Sequence, residues 1–150
     1  MIDAQALADV LPMEAAIDAL EVAFGADLLP EAPLRAHVDT AAGTVLLMPA
    51  HGAAGVGVKL VTLTPANRDR GRPFLHAVYV LFDAETQAPV ATFDGAALTA
   101  LRTAAVSGLA TRWLARPDAR RLVIYGAGVQ GRAHLHAMRA VRPVEEVVIV

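Results

Sequence analysis

Gly126, Gly128 and Gly131 stand in the spacing G-x-G-x-x-G, directly after the apolar run at 122–125. That spacing suits a dinucleotide phosphate. The first glycine permits a tight turn out of a strand, the second leaves room for a pyrophosphate against the backbone, and the third lets a helix pack closely on the strand. The N–H groups and positive dipole end of the helix that follows then face the phosphates. The plainer reading is a strand–helix turn that happens to use glycine. Lys59 is the lone lysine beside twelve arginines and lies in the strand-like run VGVKLVTL, which is apolar on both faces. A lysine buried without a partner is costly, so Lys59 is expected to meet an anion, either a protein carboxylate or a ligand. The plainer alternative is an edge-strand lysine reaching out to water. Arg102 and Arg35 offer guanidinium forks suited to a carboxylate or phosphate; the plainer readings are a surface arginine for Arg102 and a local ion pair for Arg35. The five histidines show no metal-ligand spacing. His134 and His136, two apart on a predicted helix, point to opposite sides. The histidines are read as structural, with His76 the one to inspect, and no metal is expected.

Elements must hold these residues in place. Residues 122–125 read as a buried parallel strand, 129–141 as a helix with Leu135 and Met138 inward, and 145–150 as the next strand. Strand, glycine turn, helix and strand make the first βαβ unit of a dinucleotide-binding fold. The acidic residue that would read the cofactor ribose belongs at the end of the second strand, where the sequence stops. The expectation is a truncated front part of a longer protein, with NAD versus NADP left open.

Upstream, the texture is different. A short helix is expected over 3–10, and a second from Pro12 to about residue 29, with Ile17, Leu20, Phe24 and Leu28 at helical spacing. Strand-like runs follow at 34–40, 44–50, 56–64, 75–83 and 89–93. Short turn segments separate them, as in an antiparallel meander. The charged segment Arg68, Asp69, Arg70, Arg72 reads as a solvated turn. Asp94 is a predicted N-cap for a helix over 96–114. Leu98, Leu101, Ala105 and Leu109 form its apolar face. Thr99, Thr103, Ser107 and Thr111 make a stripe of small polar residues that would let another backbone or a cofactor lie close. The fold class expected is α/β (α+β): a β-rich substrate-binding and dimerisation domain over 1–117, then the start of a Rossmann domain over 118–150.

Composition narrows the function. A formal charge of −2 and pI near 6.2 give no support to nucleic-acid binding. The chain has no cysteine, which excludes disulfides and thiol chemistry. No run approaches the roughly 18 apolar residues of a membrane span. The start, MIDAQALADV, lacks the basic and apolar regions of a signal peptide. A cytoplasmic protein is expected.

Taken together, GVKLVTLTPAN…GRP, VLFDAETQAPVATFDGAALTALRTAAVSGLATRWLARPDA and GAGVQG resemble the ornithine cyclodeaminase/μ-crystallin family over about residues 33–150. The segment D-G-x-x-L-T-x-x-R-T-A-A-x-S is far more specific than the glycine motif. The resemblance implies a homodimer that binds NAD or NADP and works on the Cα–N bond of an amino or imino acid. It could be a cyclodeaminase, a ketimine reductase or an alanine-type dehydrogenase. It implies that Lys59 lies beside the substrate as the catalytic residue, that Arg35 and Arg102 hold the substrate carboxylate, and that Thr103, Val129 and Gln130 join the three glycines around the cofactor. The family's catalytic aspartate would lie past Val150. Two positions depart from the pattern: Leu46 stands where ornithine-specific members carry glutamate, and Phe74 where threonine is frequent. Both weaken ornithine itself as the substrate. The competing implication is a non-catalytic, μ-crystallin-like protein that binds NADPH or a small ligand; such a binder has no need of Lys59 and both arginines together.

Overall fold

The computed structural model describes residues 1–26, 33–52 and 55–150. The chain forms two compact units. One comprises Met1–Leu7 and Leu28–Leu98, the other Ala8–Asp27 and Thr99–Val150. The helix Gly95–Leu114 runs from one range into the other.

The first unit is a five-stranded antiparallel meander in sequence order: β1 (Ala36–Thr40), β2 (Gly43–Gly52), β3 (Gly55–Leu63), β4 (Leu75–Phe82) and β5 (Pro89–Asp94). The expected strands are all present, with ends shifted by one or two residues. The short connections dictate this order, since neighbouring strands joined by few residues can pair only antiparallel. Gly43 makes the β1–β2 turn possible. Its φ is +151°, and a Cβ there would collide with the Leu63 carbonyl. The predicted charged turn folds as a 3-10 segment, Pro65–Arg70, closed by Gly71 at φ +64°. It is less purely solvated than expected, because the Arg68 guanidinium lies 4.7 Å from the centre of the Phe74 ring. In the β4–β5 turn Asp83 accepts hydrogen bonds from the Glu85 and Thr86 backbone and the Thr86 hydroxyl, which hold its carboxyl below the usual range. The outer side of β5 is met by Ile2: its N–H donates to Thr92 O at 2.7 Å, and its carbonyl accepts from Asp94 N at 2.9 Å. His76, on β4, is exposed and pairs in register with Thr62.

The short N-terminal helix, α1 (Ala4–Val10), starts under an Asp3 carboxylate that accepts from Ala6 N. The second unit packs helices α2 (Met13–Phe24), α3 (Gly95–Leu114) and α4 (Val129–Val141) beside a two-stranded parallel sheet, β6 (Arg121–Ile124) and β7 (Glu146–Ile149). α2 is shorter than expected. It ends at Phe24, and Gly25 N–H closes its last turn onto Glu21 O. Phe24 is 59% exposed, so the apolar period is not buried at that position. Residues 27–29 of the expected extension, Leu28 among them, lie outside the described residues. Asp94 caps α3 as predicted, accepting from Ala96 N and Ala97 N at 2.9 and 3.0 Å.

The core of this unit centres on Ile17, Ala16 and Ala105, with Leu20, Leu101 and Leu109 around them. Close helix contact depends on small residues. Ala104, Ala105 and Ala137 are fully buried, and Gly108 faces Ile17 and Ala137. Arg142 closes the end of α3 by donating to the carbonyls of Thr111, Arg112 and Ala115 at 2.7–2.8 Å. A cation there meets both the orphan carbonyls and the negative end of the helix dipole. Arg112 pairs with Asp18 and Glu21 on α2 at 2.8 and 2.6 Å, and these carboxylates push its pKa up.

Candidate functional site

The glycine turn joins β6 to α4 as the spacing requires. The parallel ladder continues one step past β6 and β7, with Gly126 N donating to Val150 O at 2.8 Å and Val150 N to Ile124 O at 2.9 Å. The chain then reverses at Gly126, whose φ of +94° disfavours any side chain. Gly128 is the N-cap of α4 and supplies no side-chain cap hydrogen bond to that helix end. A Cβ at 128 would meet nothing within 4 Å, so the space over the helix start is open. Gly131 is the opposite case: a Cβ there would overlap the Gly126 carbonyl oxygen and press on Ile124 Cγ2. Three glycines therefore meet three different demands: turn, open approach and tight packing. Val129 is exposed at the mouth of the turn. Gln130, Gly131, His134 and Tyr125 help to line a groove of about 350 Å³ beside β6. Open backbone at an uncapped helix start fits a dinucleotide pyrophosphate.

Lys59 lies on β3, half-buried rather than enclosed. In register it is flanked by Met48 on β2 and Tyr79 on β4. One step along the same face is the row Leu46–Val61–Ala77, with Val61 buried. Gly57 leaves space for the Tyr79 hydroxyl, which lies where a Cβ would be. The Tyr79 ring packs edge-on to Phe93, centroids 5.9 Å apart, and burial pushes its phenol pKa up. Lys59 thus emerges through a largely apolar sheet face, a setting in which an anionic partner interacts strongly. Arg35 is exposed just before β1 of the same unit. A cleft of about 410 Å³ by the β2–β3 hairpin is lined by none of the predicted site residues.

In the second unit Arg102 is exposed on α3, and Thr103 beside it is half-buried. The small polar stripe engages α4. Thr111 Oγ1 bonds to Met138 Sδ at 3.3 Å, and Ser107 Oγ lies 3.0 Å from His134 Nε2. In the sequence His134 reads as structural, and nothing there pairs it with Ser107. The signal was present in two separate helical patterns, but only packing brings them together.

A family model described as ornithine cyclodeaminase/mu-crystallin family matches residues 1–150. The Δ1-pyrroline-2-carboxylate reductase of Bacillus cereus is 40% identical over 108 residues, 71% of this chain and 33% of the relative. The alanine dehydrogenase of Archaeoglobus fulgidus is 34% identical over 140 residues, 92% of this chain and 44% of the relative. Among solved structures, the Δ1-pyrroline-2-carboxylate reductase of Thermococcus litoralis, in complex with NADH and L-proline, superposes with a TM-score of 0.86 at 35% identity, covering 98% of this chain and 47% of that one. The chain thus spans less than half the length of these relatives.

Proposed function

The chain belongs to the ornithine cyclodeaminase/mu-crystallin family, and from that premise we propose that the protein is an NAD(P)-dependent enzyme working by hydride transfer at the Cα–N bond of an amino or cyclic imino acid. The observation that carries this reading is the glycine turn, with its positive-φ Gly126, open Gly128 and close-packed Gly131. Gly126, Gly128, Val129, Gln130 and Gly131 would hold the dinucleotide, with Thr103 near it. When bound, a nicotinamide dinucleotide donates or accepts the hydride.

The chain's own residues do the rest. Arg35 and Arg102 hold the substrate carboxylate, so that Cα is presented in one orientation. Lys59 stands beside the reacting centre, where it stabilises negative charge or moves a proton at its Nζ. The face around Lys59 carries Leu46 and Met48. Leu46, in place of the glutamate of ornithine-specific members, weakens ornithine itself as the substrate. Residues 1–117 serve as the substrate-binding and dimerisation part, and 118–150 begin the Rossmann domain of a cytoplasmic homodimer.

Steady-state kinetics on the full-length protein, with a panel of ketimines and amino acids, tests the reading beside titration of NADH and NADPH. Lys59→Met should cut turnover and leave cofactor affinity intact, while Gly128→Val should block the dinucleotide by overlap. Wild-type turnover in Lys59→Met would remove the catalytic role and favour a binding protein. Unchanged nucleotide affinity in Gly128→Val would remove the turn as the site.

A further inference from the structure

Where α3 meets α4, the contact sets buried Gly108 against fully buried Ala137. Through it runs one polar line. His134 Nδ1 is 2.7 Å from Gln130 O, His134 Nε2 is 3.0 Å from Ser107 Oγ, and Ser107 Oγ is 3.4 Å from Thr103 O. The Gln130 carbonyl can only accept, so Nδ1 carries a proton, and in a neutral ring Nε2 is the acceptor of the Ser107 hydroxyl.

His134 lines the groove beside β6 with Leu122, Ile124 and Met138, neighbours that an apolar side chain would also suit. What the imidazole adds is direction. It ties the first turn of α4, which carries Gln130, to the stretch of α3 that carries Arg102 and Thr103. We propose that His134 is a positioning residue which, through Ser107, sets the register between the dinucleotide turn and the arginine that holds the substrate carboxylate. The inference rests on the functional reading given above. A misplacement of about 1 Å at a reacting centre costs on the order of a hundredfold in rate, so a fixed register has a catalytic use that helix stability does not explain.

The test uses the full-length protein and NADH as the probe. Ser107→Ala removes one hydroxyl from a helix that favours alanine, so the fold is retained and this variant decides the question even if His134→Leu fails to fold. Ser107→Ala and His134→Leu should each weaken NADH binding by about five- to tenfold, the size expected for one lost hydrogen bond, and lower kcat. The double variant should be no worse than the weaker single, since both remove the same bond. Ser107→Thr, which keeps a hydroxyl, should restore binding. Thr111→Val, one turn further along, removes the bond to Met138 and should shift Tm while leaving NADH affinity unchanged. Ser107→Ala binding NADH within twofold of wild type, or effects that multiply in the double variant, would overturn the proposal. Gly128→Val separates the two ideas. If it abolishes binding while Ser107→Ala does nothing, the positioning role fails alone; if it too has no effect, the nucleotide site itself is wrong.

Discussion

Arg102 and Lys59 carry the same formal charge and are expected to act differently. Arg102 is exposed on a helix and offers a rigid planar fork, whereas Lys59 is a point charge rising through an apolar sheet face. Arg102→Lys keeps the charge and loses the bidentate geometry. The expected loss is roughly 1.5–3 kcal/mol of substrate binding, the worth of a charged hydrogen bond, seen as KM raised by one to two powers of ten with NADH affinity unchanged. Tyr79, beside Lys59, makes a separate prediction. Burial raises its pKa above the ordinary tyrosine value of about 10. Its contribution to stability is therefore fully present below pH 10. It is lost as pH rises through the raised folded value, because the unfolded chain gives up its proton first. Denaturant melts of Tyr79→Phe between about pH 9 and 11 should show a shallower loss of stability than wild type. Parallel pH curves would mean that Tyr79 is not the group responsible.

At the scale of elements, the second unit depends on close approach between helices. A Cβ on Gly108 would come within 2.8 Å of Ile17 Cδ1 and 3.3 Å of Ala137 Cβ, both in fully buried side chains. Neither neighbour can retreat without opening the core. Gly108→Val should therefore cost roughly 1–3 kcal/mol by overpacking, more than the better helix propensity of the new residue returns. Chemical denaturation measures this, and a variant as stable as wild type would show that α2 and α4 pack less tightly on α3 than described. The helix limits had unequal visibility in the sequence. Asp94 announces the start of α3 because its carboxylate satisfies the first free N–H groups. The end of α2 at Gly25 was masked by an apolar period that continues through Phe24, although Phe24 is largely exposed. Periodicity shows which residues share a face; it does not show whether anything covers that face.

For the whole molecule, the expectation is a homodimer formed through the β-rich unit. Ile2 bonds along the outer side of β5, while every residue of β1 at the other edge is exposed. An open antiparallel edge presents unpaired N–H and carbonyl groups, a ready surface for another chain. Light scattering on the full-length protein at micromolar concentration should give twice the mass of one chain, and a monomer would end the idea. Among the described residues no helix is long and apolar enough to cross a membrane.

Strand order, the βαβ unit and the glycine turn can all be read from the amino-acid sequence, because each follows from local rules. Short connections force antiparallel neighbours, a period of 3.6 marks α4, and glycine spacing records a backbone demand that no other residue meets. Lys59 was legible for a similar reason: one charge inside an apolar run departs from its surroundings. Three features needed tertiary structure. The Arg142 guanidinium closes the far end of α3 from about 30 residues away in sequence, and nothing in the local pattern around Arg142 indicates three carbonyl partners. The Tyr79 hydroxyl occupies the space left by Gly57 on the neighbouring strand. Ser107 and His134, 27 residues apart, meet where Gly108 of one helix packs against Ala137 of the other. Hydrogen bonds between distant side chains depend on distance and direction in space, and one-dimensional periodicity carries the direction of a face but not the identity of what it meets.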